Sequence, residues 1–143
     1  MRRPLAIGLT LALAAVALPA CKEVEEESSS GYEPSKLEAV KGSDVKRVTL
    51  TPEGAKRTGL RTAPVRRAGA HKVVPYAALI YDAEGKTYVY TSPKPLSFLR
   101  EEVKVDRIDG ARALLSEGPR VGTRVVTVGV FEAYGTELEI ASG

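Results

Sequence analysis

The sequence predicts a mainly β fold, a small barrel or sandwich with one short helix. Turn residues punctuate the chain about every 8 to 12 residues from residue 82 onward, the spacing of short antiparallel strands. The segments between them, such as Thr87-Tyr88-Val89-Tyr90-Thr91 and Arg124-Val125-Val126-Thr127-Val128, are built from β-branched and aromatic residues. No cysteine follows Cys21, so the fold rests on an ordinary apolar core rather than on intrachain disulfides.

The chain opens with Arg2-Arg3, an apolar run of 14 residues from Leu5 to Leu18, and then Leu18-Pro19-Ala20-Cys21. A basic start, a short apolar stretch and small residues before a cut define a signal peptide. The run falls short of the ~20 residues that span a bilayer. The expected cut, just before the single cysteine, is that of a bacterial lipoprotein signal. Residues 1–20 are thus expected to leave, and Cys21 to carry lipid on the extracytoplasmic face of the cell membrane. More than one acyl chain on that residue would give a stable anchor.

Residues 21–44 are expected to form a flexible tether. They hold Glu23, Glu25, Glu26 and Glu27, then Ser28-Ser29-Ser30-Gly31 and Pro34, with few apolar residues to offset the entropy of ordering. The domain is expected from 45 to 143. Val45, Val48 and Leu50 read as a strand. Thr51-Pro52-Glu53 reads as a helix start, with an N-cap, proline in the first turn and an acid beside it. Gly54 and Gly59 are expected to flank this helix and keep it short. Leu60 to Arg67 is a strand demoted to an edge or bulge by Pro64. Val73 to Tyr81 is apolar and interrupted by Pro75, and residues 82–85 form a turn. Thr87 to Thr91 is a strand, and Pro93 and Pro95 mark a loop. Phe98 to Ile108 is a strand that turns at Asp109-Gly110, a strong hairpin signal. Ala111 to Leu115 returns, Gly118-Pro119 and Val121-Gly122 turn again, and Arg124 to Val128 follows. Val130 to Tyr134 is expected to make a helical turn, and Leu138 to Ile140 a last short strand.

Composition excludes several functions. The net charge of +3 falls to +1 once Arg2 and Arg3 leave, too balanced for a general nucleic-acid binder. There is no Trp to build a stacking platform. His71 is the only histidine, it lies among Gly and Ala, and no nucleophile motif stands near it. Glu101 and Glu102 are adjacent on an expected strand, where neighbours point to opposite faces, so they do not form an acid–base pair. The mature chain has one His and no Met, which argues against soft-metal capture. The expectation is a protein that binds rather than catalyses, with no metal and no cofactor.

Two features point to binding. Between Gly54 and Tyr81 there is no acid, while Lys56, Arg57, Arg61, Arg66, Arg67 and Lys72 all fall there. Such a stretch is expected to meet anionic lipid or the acidic loops of a membrane protein, or to form an ordinary solvated face. The aromatic residues Tyr76, Tyr81, Tyr88, Tyr90 and Phe98 cluster in sequence. They would line a pocket if the chain were a stand-alone envelope lipoprotein binding a small ligand or cell-wall polymer.

The segment from Val48 to Val65, with its strand, Thr-Pro-Glu helix start, Gly59-Leu60 and second strand, resembles the opening of the periplasmic adaptor, or membrane fusion protein, family. Val74-Pro75-Tyr76-Ala77-Ala78-Leu79 and the hairpin through Tyr90 are similar to that family's Val-Pro segment. Glu117-Gly118-Pro119-Arg120-Val121-Gly122-Thr123-Arg124-Val125-Val126-Thr127-Val128-Gly129 is similar to its closing motif, with Pro119 in place of the usual Leu. The lipoyl-like, α-hairpin and β-barrel domains that adaptors place between the first two blocks are missing, and only Arg66 to Val73 joins them. The resemblance therefore implies an isolated membrane-proximal domain, which in adaptors is built from both ends of the sequence. It implies an efflux permease as partner.

Overall fold

The structure, a computed structural model, describes residues 33–139. The expected signal peptide, Cys21 and the part of the expected tether up to residue 32 lie outside the described residues, as does Ile140.

The chain enters through β1 (Ser35–Ala39), which pairs antiparallel with β2 (Lys46–Leu50). The first of these corrects the expected tether, whose end at residue 44 lay too late. Ser-Lys-Leu-Glu-Ala is a mostly polar strand ordered by pairing with β2, a non-local cause that composition does not register. Helix α1 (Pro52–Thr58) follows as its caps dictate. Thr51 Oγ1 accepts from the Gly54 amide at 3.0 Å, and Gly59 ends the helix at φ 61°. Gly54 lies inside the helix rather than beside it. A Cβ there would run into the carbonyl oxygen of Pro34, so glycine is what lets the incoming chain pass.

The next strands are β3 (Arg61–Pro64), β4 (Arg66–Ala68) and β5 (His71–Pro75). The single strand expected over Leu60 to Arg67 is thus two, broken at Val65. A one-turn helix (Tyr76–Ala78) leads to β6 (Ile80–Tyr81) and the long hairpin of β7 (Thr87–Lys94) and β8 (Ser97–Asp109). Pro93 lies within β7, so the connection is only Pro95-Leu96. The Asp109-Gly110 turn forms as expected, with Gly110 at φ 58° and Asp109 opposite Arg112. The chain ends with β9 (Arg112–Glu117), β10 (Arg124–Val128) and helix α2 (Val130–Glu139). That helix replaces the expected helical turn and final strand. Val130, Ala133 and Glu137 are buried at helical spacing, so one face packs continuously and Leu138 belongs to the helix.

The main sheet runs β3-β10-β7-β8-β9-β5-β4, with all neighbours antiparallel. Its first and last strands are separated in the chain by one residue, Val65. A sheet whose ends are covalently adjacent must curl, and the fold is a curled, mainly β half-barrel, in keeping with the small mainly β barrel or sandwich that the sequence predicts. Val65 is the hinge of the curl. Its amide donates to the Thr123 carbonyl, its carbonyl accepts from the Gly122 amide, both at 2.8 Å, and its side chain is buried.

Two cores result. Val65, Val74, Val89, Val103, Leu115 and Val125 pack inside the curl. Val48, Leu50, Tyr90, Phe98, Val126 and Val130 pack on the opposite face, beneath β1, β2 and the two helices. Val89 and Tyr90, or Val125 and Val126, are neighbours in the chain and members of different cores, as strand alternation requires. Burial on both faces explains why β7 and β10 read as nearly continuous apolar runs.

Candidate functional site

The fold divides the six sequence-predicted cations. Lys56 and Arg57 occupy the last turn of α1, where positive charge complements the helix end. Arg61 opens β3 opposite Val128. Arg66 and Arg67 lie on β4, and Lys72 on β5. Arg67 and Lys72 are direct cross-strand neighbours, whereas Arg66 stands opposite Val73 on the other face. Lys72 is committed to structure, since its Nζ donates to the Gly118 carbonyl. The acid-free stretch is therefore not one basic face. Its freest part is β4, where Arg66 and Arg67 are exposed and have no ion-pair partner among the described residues.

Glu101 and Glu102 point to opposite faces, as expected. Glu101 pairs with Val89, a residue of the inner core, and Glu102 with Tyr88. Burial pushes the Glu101 carboxyl above its ordinary value, and the nearby Lys72 offsets part of that rise. His71 Nε2 lies 3.3 Å from Asp106 Oδ2, a half-exposed pair joining β5 to β8.

The five aromatic residues do not share a pocket. Tyr90 and Phe98 lie in the outer core. Tyr88 lies beneath the Arg100 guanidinium, whose Cζ is 4.7 Å from the ring centroid. Tyr76 and Tyr81 are about half exposed, and burial followed by their mutual contact raises the Tyr81 phenol.

The most unusual chemistry lies outside the sequence-predicted sites, on α2. Glu137 on α2 is 4% exposed. Its Oε2 accepts from the Tyr90 hydroxyl, and its Oε1 lies 3.2 Å from Arg100 Nη2 and 3.5 Å from the Lys46 amide. Arg100 lies between the rings of Tyr88 and Tyr134, the latter centroid 5.6 Å away. Burial pushes the Tyr90 phenol far above its ordinary range, and the hydrogen bond to Glu137 adds to it. The cluster holds α2 against β2, β7 and β8. Its one sequence signal is an acid at the buried i+7 position of the helix.

A groove of about 460 Å³ lies between β3, β10 and the β7–β8 turn. Leu60, Leu96 and Phe98 form its apolar wall, and Arg124 and Lys94 stand at its rim. Among the described residues no helix is long and apolar enough to cross a membrane.

No protein-family model, curated protein or solved structure matches the chain.

Proposed function

We propose that the chain is a lipid-anchored, extracytoplasmic accessory module of a membrane efflux transporter, which it binds without catalysing a reaction. The observation that carries this reading is the pairing of β3 with β10, Arg124 opposite Pro64 and Val126 opposite Thr62. The first strand belongs to the opening block of adaptor resemblance and the second to the closing block. The two blocks thus make one domain, and the chain between β3 and β5 is only Val65, β4 and the Gly69-Ala70 turn. A membrane-proximal unit made from both ends of an adaptor would have this connectivity with its inserted domains removed.

The surface assigned to the partner is the exposed β4 strand. Two guanidiniums on opposite faces of one short strand suit a partner that presents acidic loops on both sides. A photo-crosslinking residue at position 66 in native membranes is expected to capture a membrane-embedded transporter subunit. The same residue at position 84, in the turn before β7, is expected to capture none. Equal capture from both positions, or none from 66, would overturn the assignment.

A further inference from the structure

The groove beside the β7–β8 turn is not used by the proposed transporter contact, and its construction is specific. Its floor is the outer core where it meets the surface. Phe98 is a buried member of that core and Leu60 packs against it. Pro93 and Pro95 stiffen one wall. Between Pro95 and Ser97 the backbone takes φ 60° at Leu96, the one non-glycine residue with positive φ among those described. Proline at the first central position and positive φ at the second is the arrangement of a type II turn, which ordinarily takes glycine there. A branched apolar side chain held in that conformation marks a locally strained site, and such strain gathers at ligand-binding positions. The strained residue is fixed from behind, because its carbonyl accepts from the Leu50 amide at 2.8 Å. The wall is therefore formed before anything binds.

The rim is positive. Arg124 is held in place by Thr62, with Nε 2.7 Å from the Thr62 hydroxyl and Nη2 2.6 Å from its carbonyl oxygen. Those bonds leave its Nη1 edge for a ligand. Lys94 is exposed and has no ion-pair partner among the described residues. No acid lines the groove. An apolar cleft of this size, with two cations at its mouth and the Thr62 hydroxyl beside Arg124, is complementary to one chemical class, the Ser92 hydroxyl being spent on the Lys94 carbonyl.

We propose that this groove binds a single-chain acyl carboxylate, with its carboxylate between Arg124 and Lys94 and its chain along Leu60, Leu96 and Phe98. Arg124 is the main anion contact, since its guanidinium is already oriented. The preformed wall keeps the ordering cost of binding low. Neither Arg124 nor Lys94 belongs to the acid-free stretch that the sequence singles out, and the site stands whether or not the chain has a transporter partner.

The test uses the full chain carrying Cys21→Ser, with decanoate as the probe, below the concentration at which it forms micelles. Amide chemical shifts are followed by NMR, with decanol and acetate as controls. The expected result is saturable shifts at Leu60, Thr62, Leu96 and Arg124, with binding at least roughly tenfold tighter than for either control. Lys94→Gln, a change at an exposed turn residue, is expected to weaken decanoate binding several-fold at an unchanged melting temperature. Arg124→Gln is expected to weaken it about tenfold. Leu96→Gly is expected to weaken decanoate while leaving the response to acetate unaltered. Decanol binding as tightly as decanoate, shifts centred elsewhere, or a Lys94→Gln variant with wild-type affinity would each overturn the proposal.

Discussion

Replacing Glu137 by Leu should cost about 3–4 kcal/mol of stability, a large share of the ~5–15 kcal/mol that a domain of this size has. Three donors converge on this carboxylate: the Tyr90 hydroxyl, Arg100 Nη2 and the Lys46 amide. Tyr90 is fully buried, so its hydroxyl would be left without an acceptor, at about 1–3 kcal/mol. The Arg100 side chain is 16% exposed and would lose its counter-charge, the loss for which broken buried pairs cost about 3–5 kcal/mol. The two terms overlap, and the rings of Tyr88 and Tyr134 continue to favour the cation by about 1 kcal/mol, which brings the total to the stated range. At a urea dependence of about 2 kcal/mol per molar, the unfolding midpoint should fall by about 2 M. The double variant Glu137→Leu/Arg100→Met should recover at least half of the loss, because an apolar set of similar volume requires no desolvation of charge. A loss below about 1 kcal/mol for Glu137→Leu, or a double variant no better than the single, would refute the view that a buried ion pair holds α2 in place.

Three further outcomes follow from local geometry. Gly54→Ala should lower stability by about 2 kcal/mol in urea unfolding, although glycine to alanine inside a helix ordinarily helps by about 1 kcal/mol, because the new methyl meets the Pro34 carbonyl. Burial raises the Glu101 carboxyl above its ordinary 4.5, so the folded state holds its proton to higher pH than the unfolded state does. Stability should therefore fall as pH rises from about 4.5 through the folded value, and Glu101→Gln should remove that part of the pH dependence in a series of melting curves. Tyr90 is raised in the same sense from 10.0, so its phenol should resist ionisation in the native protein. Alkaline titration followed by phenolate absorbance should show one tyrosine that ionises only on unfolding, whereas a Tyr90→Phe variant should lack that step.

What the sequence reveals depends on how local the cause is. The Thr51 cap, the Asp109-Gly110 turn and the β-branched run of β10 are set by neighbours in the chain, and each formed where it was expected. The first strand is not legible in the sequence, because Ser35–Ala39 carries little apolar signal and is ordered by its pairing with β2. The full length of α2 is not legible in the sequence because its buried face includes Glu137, an acid at a core position that only Tyr90 and Arg100, distant in the chain, can accommodate. The acid-free stretch was legible as composition but not as a surface. Strand alternation turns Arg66 and Arg67 to opposite faces, and the break at Val65 sends Arg61 and Arg66 into different strand pairings. The groove cations Arg124 and Lys94 lie about 30 residues apart in sequence and are joined only by the curl of the sheet.

The proposed membrane-bound partner is tested most directly by co-purification from native membranes. The chain, tagged at its C-terminus, is crosslinked in intact cells, solubilised and isolated, with the Cys21→Ser form and an Arg66→Ser/Arg67→Ser form beside it. An efflux permease is expected in fixed proportion with the wild-type chain, absent with the unanchored form, and reduced with the β4 variant. Recovery of no transporter from wild-type membranes, or the same proteins from all three forms, would contradict the proposal.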